Sequence, residues 1–220
     1  MMETLTTWWG WVPQLAAGLW VSTQLLFWCL LFGLPAGLVL ALTSSSAMRA
    51  VRWSSIVLVE IGRGAPALVV LQMVYFGLPT VGLTFAPFLS GAIALSLTTA
   101  AYTSEILRAG LQSVPYGEVE AAMALGMRRR DTLRYVVIPQ GIMVAIPALL
   151  GFAVLMFQVT SLAFTIAIPE LLSRAYRIGA SNFRYLDVLT AAGVFYLAVI
   201  LPFGWLVSHI EQRMSRHLTK

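Results

Sequence analysis

Apolar residues in this chain run in long, nearly unbroken blocks, and polar residues collect between them. Five blocks stand out: Leu15 to Leu42, Ser55 to Leu78, Phe85 to Leu107, Tyr135 to Phe157 and Leu186 to Ser208. A bilayer core about 30 Å thick needs about 20 apolar residues per helix, so each block can span with some tilt. The pattern predicts an all-α, polytopic membrane protein with about five transmembrane helices, forming one membrane domain over residues 1–220.

Composition agrees with that pattern. Of 220 residues, 59% are hydrophobic and only 10% charged, with a mean hydropathy of +0.84. A soluble domain carries about a quarter charged residues; this chain has too few to cover itself in water and no room for a separate soluble catalytic domain. The net charge of +5 then points to cytoplasmic loops rather than nucleic acid, because lysine and arginine accumulate on the inner side. Ten of the 14 basic residues fall on one side, between blocks one and two, three and four, and after block five. Three, Arg174, Arg177 and Arg184, fall opposite, and Arg63 lies within a block. The N-terminus is therefore expected outside and the C-terminus in the cytoplasm, with Trp8, Trp9 and Trp11 at the outer headgroups just before the first span. The first residues lack a signal peptide's basic region, apolar core and cleavage site, so the first span is expected to be retained.

Several chemistries are excluded. Cys29 is the single cysteine, and the two histidines, His209 and His217, sit near the basic tail, so intramolecular disulfides and Cys/His metal cages have no basis. The nine carboxylates are dispersed, and no phosphate-cradling Gly-x-x-x-x-Gly-Lys-Ser/Thr run exists, so ATP hydrolysis by this chain is not expected.

The most informative polar segment is 113–134, predicted to be cytoplasmic. Glu118 and Glu120 suit the positive end of a helix, and Ala121 to Leu125 are strong helix formers. Gly126 can take the left-handed conformation that ends the helix. Arg128, Arg129 and Arg130 favour its negative end, and Asp131 is expected to cap the helix leading into the fourth span. A helix this short gains little alone in water; its small side chains let a partner approach closely, while an ordinary helical loop is the plainer reading.

Glu120-Ala121-Ala122, Gly126 and the following Val136-Val137-Ile138-Pro139 resemble the EAA loop of ABC importer permeases. Gly62-Arg63-Gly64-Ala65-Pro66, Tyr75-Phe76-Gly77-Leu78-Pro79, Ser104-Glu105-Ile106, Thr160-Ser161-Leu162 and Ile168-Pro169-Glu170-Leu171 resemble elements of that family's polar amino-acid branch. The resemblance implies a type I ABC importer permease fold and a bacterial inner-membrane location. It implies polar amino acids as cargo, delivered by an extracytoplasmic binding protein. It also implies a second permease chain, identical or homologous, and two ATP-binding cassette subunits. ATP and Mg belong to those subunits, with no cofactor on this chain. Glu118, Glu120, Ala121, Ala122 and Gly126 become the ATPase-coupling residues. The sequence departs from the branch at Gln158-Val159, where many relatives carry Lys-Asp, and at Val70, where many carry glutamine.

Charges inside spans are functional candidates by default. Glu60 and Arg63, and Glu105 and Arg108, stand three apart on helices and can pair, either as an inner gate or as structural clasps. Gln72, Glu105, Gln158, Thr160 and Ser161 are candidates for the substrate path. Pro139 and Pro147 are expected to kink the fourth span. The apolar run after Leu162 is expected to re-enter the protein, ahead of an amphipathic segment whose Arg174 and Arg177 could meet a binding protein. A stand-alone secondary carrier and a non-transporting scaffold for an ATPase are the competing readings.

Overall fold

The computed structural model describes residues 2–218, with side chains over residues 8–212. It is all helical. Helix α1 (Met2–Thr43) is followed by α2 (Arg49–Gly64) and by α3 (Ala67–Gln72), which runs on through a π turn (Met73–Gly77) and a 3-10 turn (Leu78–Val81). Next come α4 (Pro87–Gln112), α5 (Tyr116–Ala124) and α6 (Arg129–Thr132), then a π turn (Leu133–Val137) into α7 (Ile138–Val159). A 3-10 helix (Thr160–Ile166) leads to α8 (Leu171–Asn182) and α9 (Tyr185–Leu218).

Among the described residues, three helical stretches are long and apolar enough to cross a membrane: Trp8–Thr43, Arg129–Ile166 and Tyr185–Gln212. A fourth results if Arg49–Gly64 and Ala67–Val81, bent by 101°, count as one span. The expected straight second span is thus broken. Pro66 has no N–H to continue α2 and holds Ala65 extended, at φ −79° and ψ 128°.

The remaining expected span is α4, and its place in the bundle explains why it falls short on apolarity. Its 26 residues rise about 39 Å, but half of them are buried, among them Ser90, Thr98, Thr99, Thr103 and Ser104. Helices α1, α7, α2 and α3 surround it. A helix facing protein rather than lipid has no need of large apolar side chains, and small ones let backbones approach. Along the α1 contact, a Cβ at Gly37 would run into Thr103 Oγ1, and one at Gly33 would come within 2.5 Å of Thr99. The main core forms where α1, α3, α4, α7 and the 3-10 helix meet, around Leu25, Leu71, Leu95, Met156 and Ile166. The apolar run after Leu162 does re-enter this core, with Ala163, Ile166 and Ile168 fully buried.

The tryptophans stand near the start of α1, with Trp11 buried against α8 and α9. Two local expectations change. Asp131 is not a cap: Arg128 occupies that position without a side-chain hydrogen bond, and Asp131 sits in the first turn of α6. Pro139 lies in the first turn of α7, directly after the π turn. The wide turn leaves room for a ring that would otherwise meet the carbonyl one turn back.

Candidate functional site

The charged residues come together more closely than their spacing foretold. Arg63 of α2 lies 4.0 Å from Glu60 in its own helix and 3.8 Å from Glu105 of α4. Glu105 accepts two hydrogen bonds from Arg108, at 3.1 Å and 2.6 Å. Arg108 also donates to Gln112 Oε1 at 3.1 Å. Two intrahelical pairs have thus become one network joining α2 to α4. Of this network, Glu60, Glu105 and Arg108 line a cavity of about 220 Å³, together with Gln112 and with Ser44 and Ser45 after α1. The Glu105 side chain is 28% exposed, so water shares in its solvation.

About one turn along α4, Tyr102 lines a second cavity. Its hydroxyl donates to the Arg63 carbonyl at 3.1 Å, and its ring stacks on Phe152 of α7, 5.8 Å between centroids. The second cavity, about 440 Å³, lies among α3, α4, α7 and the 3-10 helix. Thr98, Tyr102, Phe152, Gln158 and Ser161 line it together with aliphatic side chains of α7. Of the expected path residues, Gln158 and Ser161 meet here and Glu105 faces the charged cavity. Thr160 does neither: it is fully buried and donates to the Phe157 carbonyl at 2.6 Å. Gln72 is exposed on α3 and lines neither cavity.

The segment between α4 and α7 folds as its composition dictates. Glu118 stands in the first turn of α5. Gly126 takes φ +84° and donates to the Met123 carbonyl at 2.9 Å, while Met127 donates to Ala122 at 3.2 Å. This paired arrangement is the Schellman stop. Glu118, Glu120 and Ala121 are exposed and Ala122 is buried. Tyr116, Met123 and Leu125 are also exposed, Leu125 by 85%. A hydrophilic loop would not present such a tip, and a covered one would.

One residue with structural weight was missed. Glu170, at the N-cap of α8, is fully buried. Its carboxylate accepts from the Ser173 and Leu172 amides at 2.6 Å and 2.8 Å, from Tyr196 of α9 at 3.2 Å and from Ser22 of α1 at 3.5 Å. Burial raises its pKa above the usual carboxylate value, and the four donors oppose that rise. The partners lie up to 148 residues away, so only the Pro169-Glu170-Leu171 opening of a helix was visible in sequence. Arg174 and Arg177 are tied into α8 itself, bonding to the Pro169 carbonyl and to Ser173 Oγ.

Comparison with known proteins gives a consistent picture. Residues 33–216 match the family model described as binding-protein-dependent transport system inner membrane component. The L-cystine transport system permease protein TcyB of Bacillus subtilis is 37% identical over 209 residues, covering 94% of this chain and 89% of that protein. The glutamine transport system permease protein GlnP of Escherichia coli K12 is 32% identical, covering 94% and 95%. Among solved structures, an amino acid ABC transporter crystallised with histidines superposes with a TM-score of 0.87 at 32% identity, covering 93% of this chain and 95% of that one.

Proposed function

This chain belongs to the family of binding-protein-dependent transport system inner membrane components, and from that premise we propose that it is the amino-acid permease subunit of an ATP-driven importer. The observation that carries the reading is α5: a capped helix with an exposed apolar tip, set between the two helices that hold Tyr102 and Phe152. It packs on α6 and on the π turn that enters α7. A force applied to α5 from the cytoplasm reaches the cavity walls through short, rigid connections.

In this reading the chain spans the inner membrane five times, with α4 as the central span and the bent pair α2–α3 as another. The N-terminus lies outside, and loop 113–134 faces the cytoplasm. Two ATP-binding cassette subunits carry ATP and Mg and dock on α5, where Glu118, Glu120, Ala121, Ala122 and Gly126 form the contact. A second permease chain completes the pathway, and an extracytoplasmic binding protein delivers the amino acid. Approach of the two ATPases draws the α5 helices together, tilts α4 and α7 and opens the cavity outward. Cargo passes Gln158, Ser161 and Tyr102 and leaves through the cavity of Glu60, Glu105 and Arg108, where Arg63 pairs with both glutamates. A zwitterion with paired charges of its own suits that exit.

Affinity purification from native membranes in mild detergent tests the assignment. It is expected to bring down a Walker-motif ATPase in stoichiometric amount; uptake that survives in membranes lacking any such partner would point to a secondary carrier instead. Gly126→Arg probes the lever. A side chain at φ +84° strains the helix stop by about 1–2 kcal/mol, and ATP-driven uptake is expected to fall about tenfold. Unchanged uptake and unchanged ATPase recovery would remove α5 from the coupling path.

A further inference from the structure

The two cavities differ in a way that bears on what is carried. Among the described residues, no carboxylate, guanidinium, ammonium or imidazole lines the 440 Å³ cavity. Arg63, whose backbone carbonyl accepts from Tyr102, and Glu105 are already paired with each other at 3.8 Å. The hydroxyls that are present are also partly committed. Thr98 donates to the Ala94 carbonyl at 3.2 Å, and Ser161 donates to the Gln158 carbonyl at 2.7 Å. What remains is the Gln158 side-chain amide, the acceptor capacity of two hydroxyls, and a wall of stacked Tyr102 and Phe152 backed by Leu155, Met156 and Leu162.

From this lining, and resting on the permease reading above, we infer that the cavity selects amino acids whose side chains are uncharged. The volume lies in the range of small-ligand sites, about 300–1,000 Å³, so size does not discriminate. The α-ammonium and α-carboxylate are common to every cargo and do not discriminate either. The side chain does. A guanidinium, ammonium or second carboxylate seated here gives up part of its water and finds no counter-charge on this chain, which weakens binding. The aromatic wall does not compensate a cation, because Tyr102 and Phe152 each spend one face on the other and an exposed ring face contributes little by comparison. An amide, thioether or aromatic side chain meets the Gln158 amide and the apolar wall without that penalty.

The test uses the purified permease–ATPase complex in lipid nanodiscs without binding protein, so that the permease site alone is read. Equilibrium binding is measured for tritiated glutamine, methionine, arginine and glutamate. Glutamine or methionine is expected to bind at least about tenfold more tightly than arginine and glutamate. In Ser161→Cys, whose background is low because Cys29 is buried, the bound neutral amino acid is expected to slow labelling of the introduced thiol by a polar maleimide about fivefold or more. Ser161→Asp is expected to raise arginine affinity about tenfold and to lower glutamate affinity. Arginine or glutamate binding as tightly as the neutral pair while protecting the introduced thiol would overturn the selectivity and leave the permease reading intact. Absence of saturable binding by all four, or binding that leaves the thiol unprotected, would overturn the cavity as the cargo site. Co-purification of the ATPase, measured on the same sample, separates that failure from failure of the permease assignment.

Discussion

Glu170 and Glu105 both link more than one helix, the first by hydrogen bonds and the second by an ion pair, and they are solvated in opposite ways. Glu170 has no exposed surface, and every group that bonds it is neutral: two amides of α8, a phenol from α9 and a serine from α1. Glu105 is 28% exposed, and its neighbours are two guanidiniums, Arg108 and Arg63. The first carboxylate joins three helices through short-range bonds that water cannot replace. The second belongs to a chain of compensating charges open to solvent, whose members can exchange partners while staying paired. On the proposed transport reading, the first arrangement would keep the frame and the second would lie along the path.

The sharpest way to break this comparison is Glu170→Ala. It strands the Leu172 and Ser173 amides and the Tyr196 hydroxyl and opens a small void in the interior, so a loss of about 3 kcal/mol or more is expected. The measurement is the thermal midpoint of the detergent-solubilised complex, and Tyr196→Phe, which removes one donor only, is expected to cost about 1 kcal/mol. A midpoint for Glu170→Ala within about a degree of the unaltered protein would mean that Glu170 does not hold the frame.

Glu105→Gln should behave differently. The arginines it leaves behind are 35% and 38% exposed and can turn to water, so stability is expected to change by under about 1 kcal/mol. Uptake is expected to fall about tenfold, because Arg108 then lacks its carboxylate partner in the proposed exit, while Arg63 keeps Glu60 at 4.0 Å. Exchanging all four charges, Glu60→Arg, Arg63→Glu, Glu105→Arg and Arg108→Glu, keeps every pair opposite in sign and is expected to recover most of the uptake. If the exchange recovers stability but not uptake, the network is a clasp and not part of the exit.

The same contrast explains what could be read from the sequence. Glu105 and Arg108 stand three apart on one helix, as do Glu60 and Arg63, and helical geometry alone makes each pair legible. Their union at 3.8 Å was not, because it depends on how α2 crosses α4. Glu170 was less legible still: Ser22 and Tyr196 become its partners only once α1, α8 and α9 pack. The stop at Gly126 was legible to its conformation, since a glycine after an alanine-rich turn has a strong local reason to be left-handed. The second span looked continuous because hydropathy averages over Ala65 and Pro66, where the backbone turns. The third counted as apolar beside its neighbours, yet its serines, threonines and glycines mark a helix enclosed by other helices.

Tyr102→Phe is the smallest change and bears on the boundary between the neutral cavity, which Tyr102 lines, and the charged network, which its hydroxyl reaches at Arg63. The ring keeps its stacking on Phe152 at 5.8 Å, so the neutral cavity retains its wall. What is lost is one hydrogen bond to the Arg63 carbonyl, at 3.1 Å. Tyr102 is partly exposed, so water can take that carbonyl, and the expected cost is about 0.5–1 kcal/mol. The consequence for uptake depends on which side of the boundary the hydroxyl serves. If it ties the neutral cavity to the charged network, binding of a neutral amino acid is expected to change by less than about twofold while the turnover of ATP-driven uptake falls about two- to fivefold. If it serves as a ligand within the neutral cavity, affinity falls and turnover is preserved. Equilibrium binding and initial uptake rates on one preparation distinguish these outcomes, and a loss of affinity alone would move Tyr102 from the boundary into the binding site.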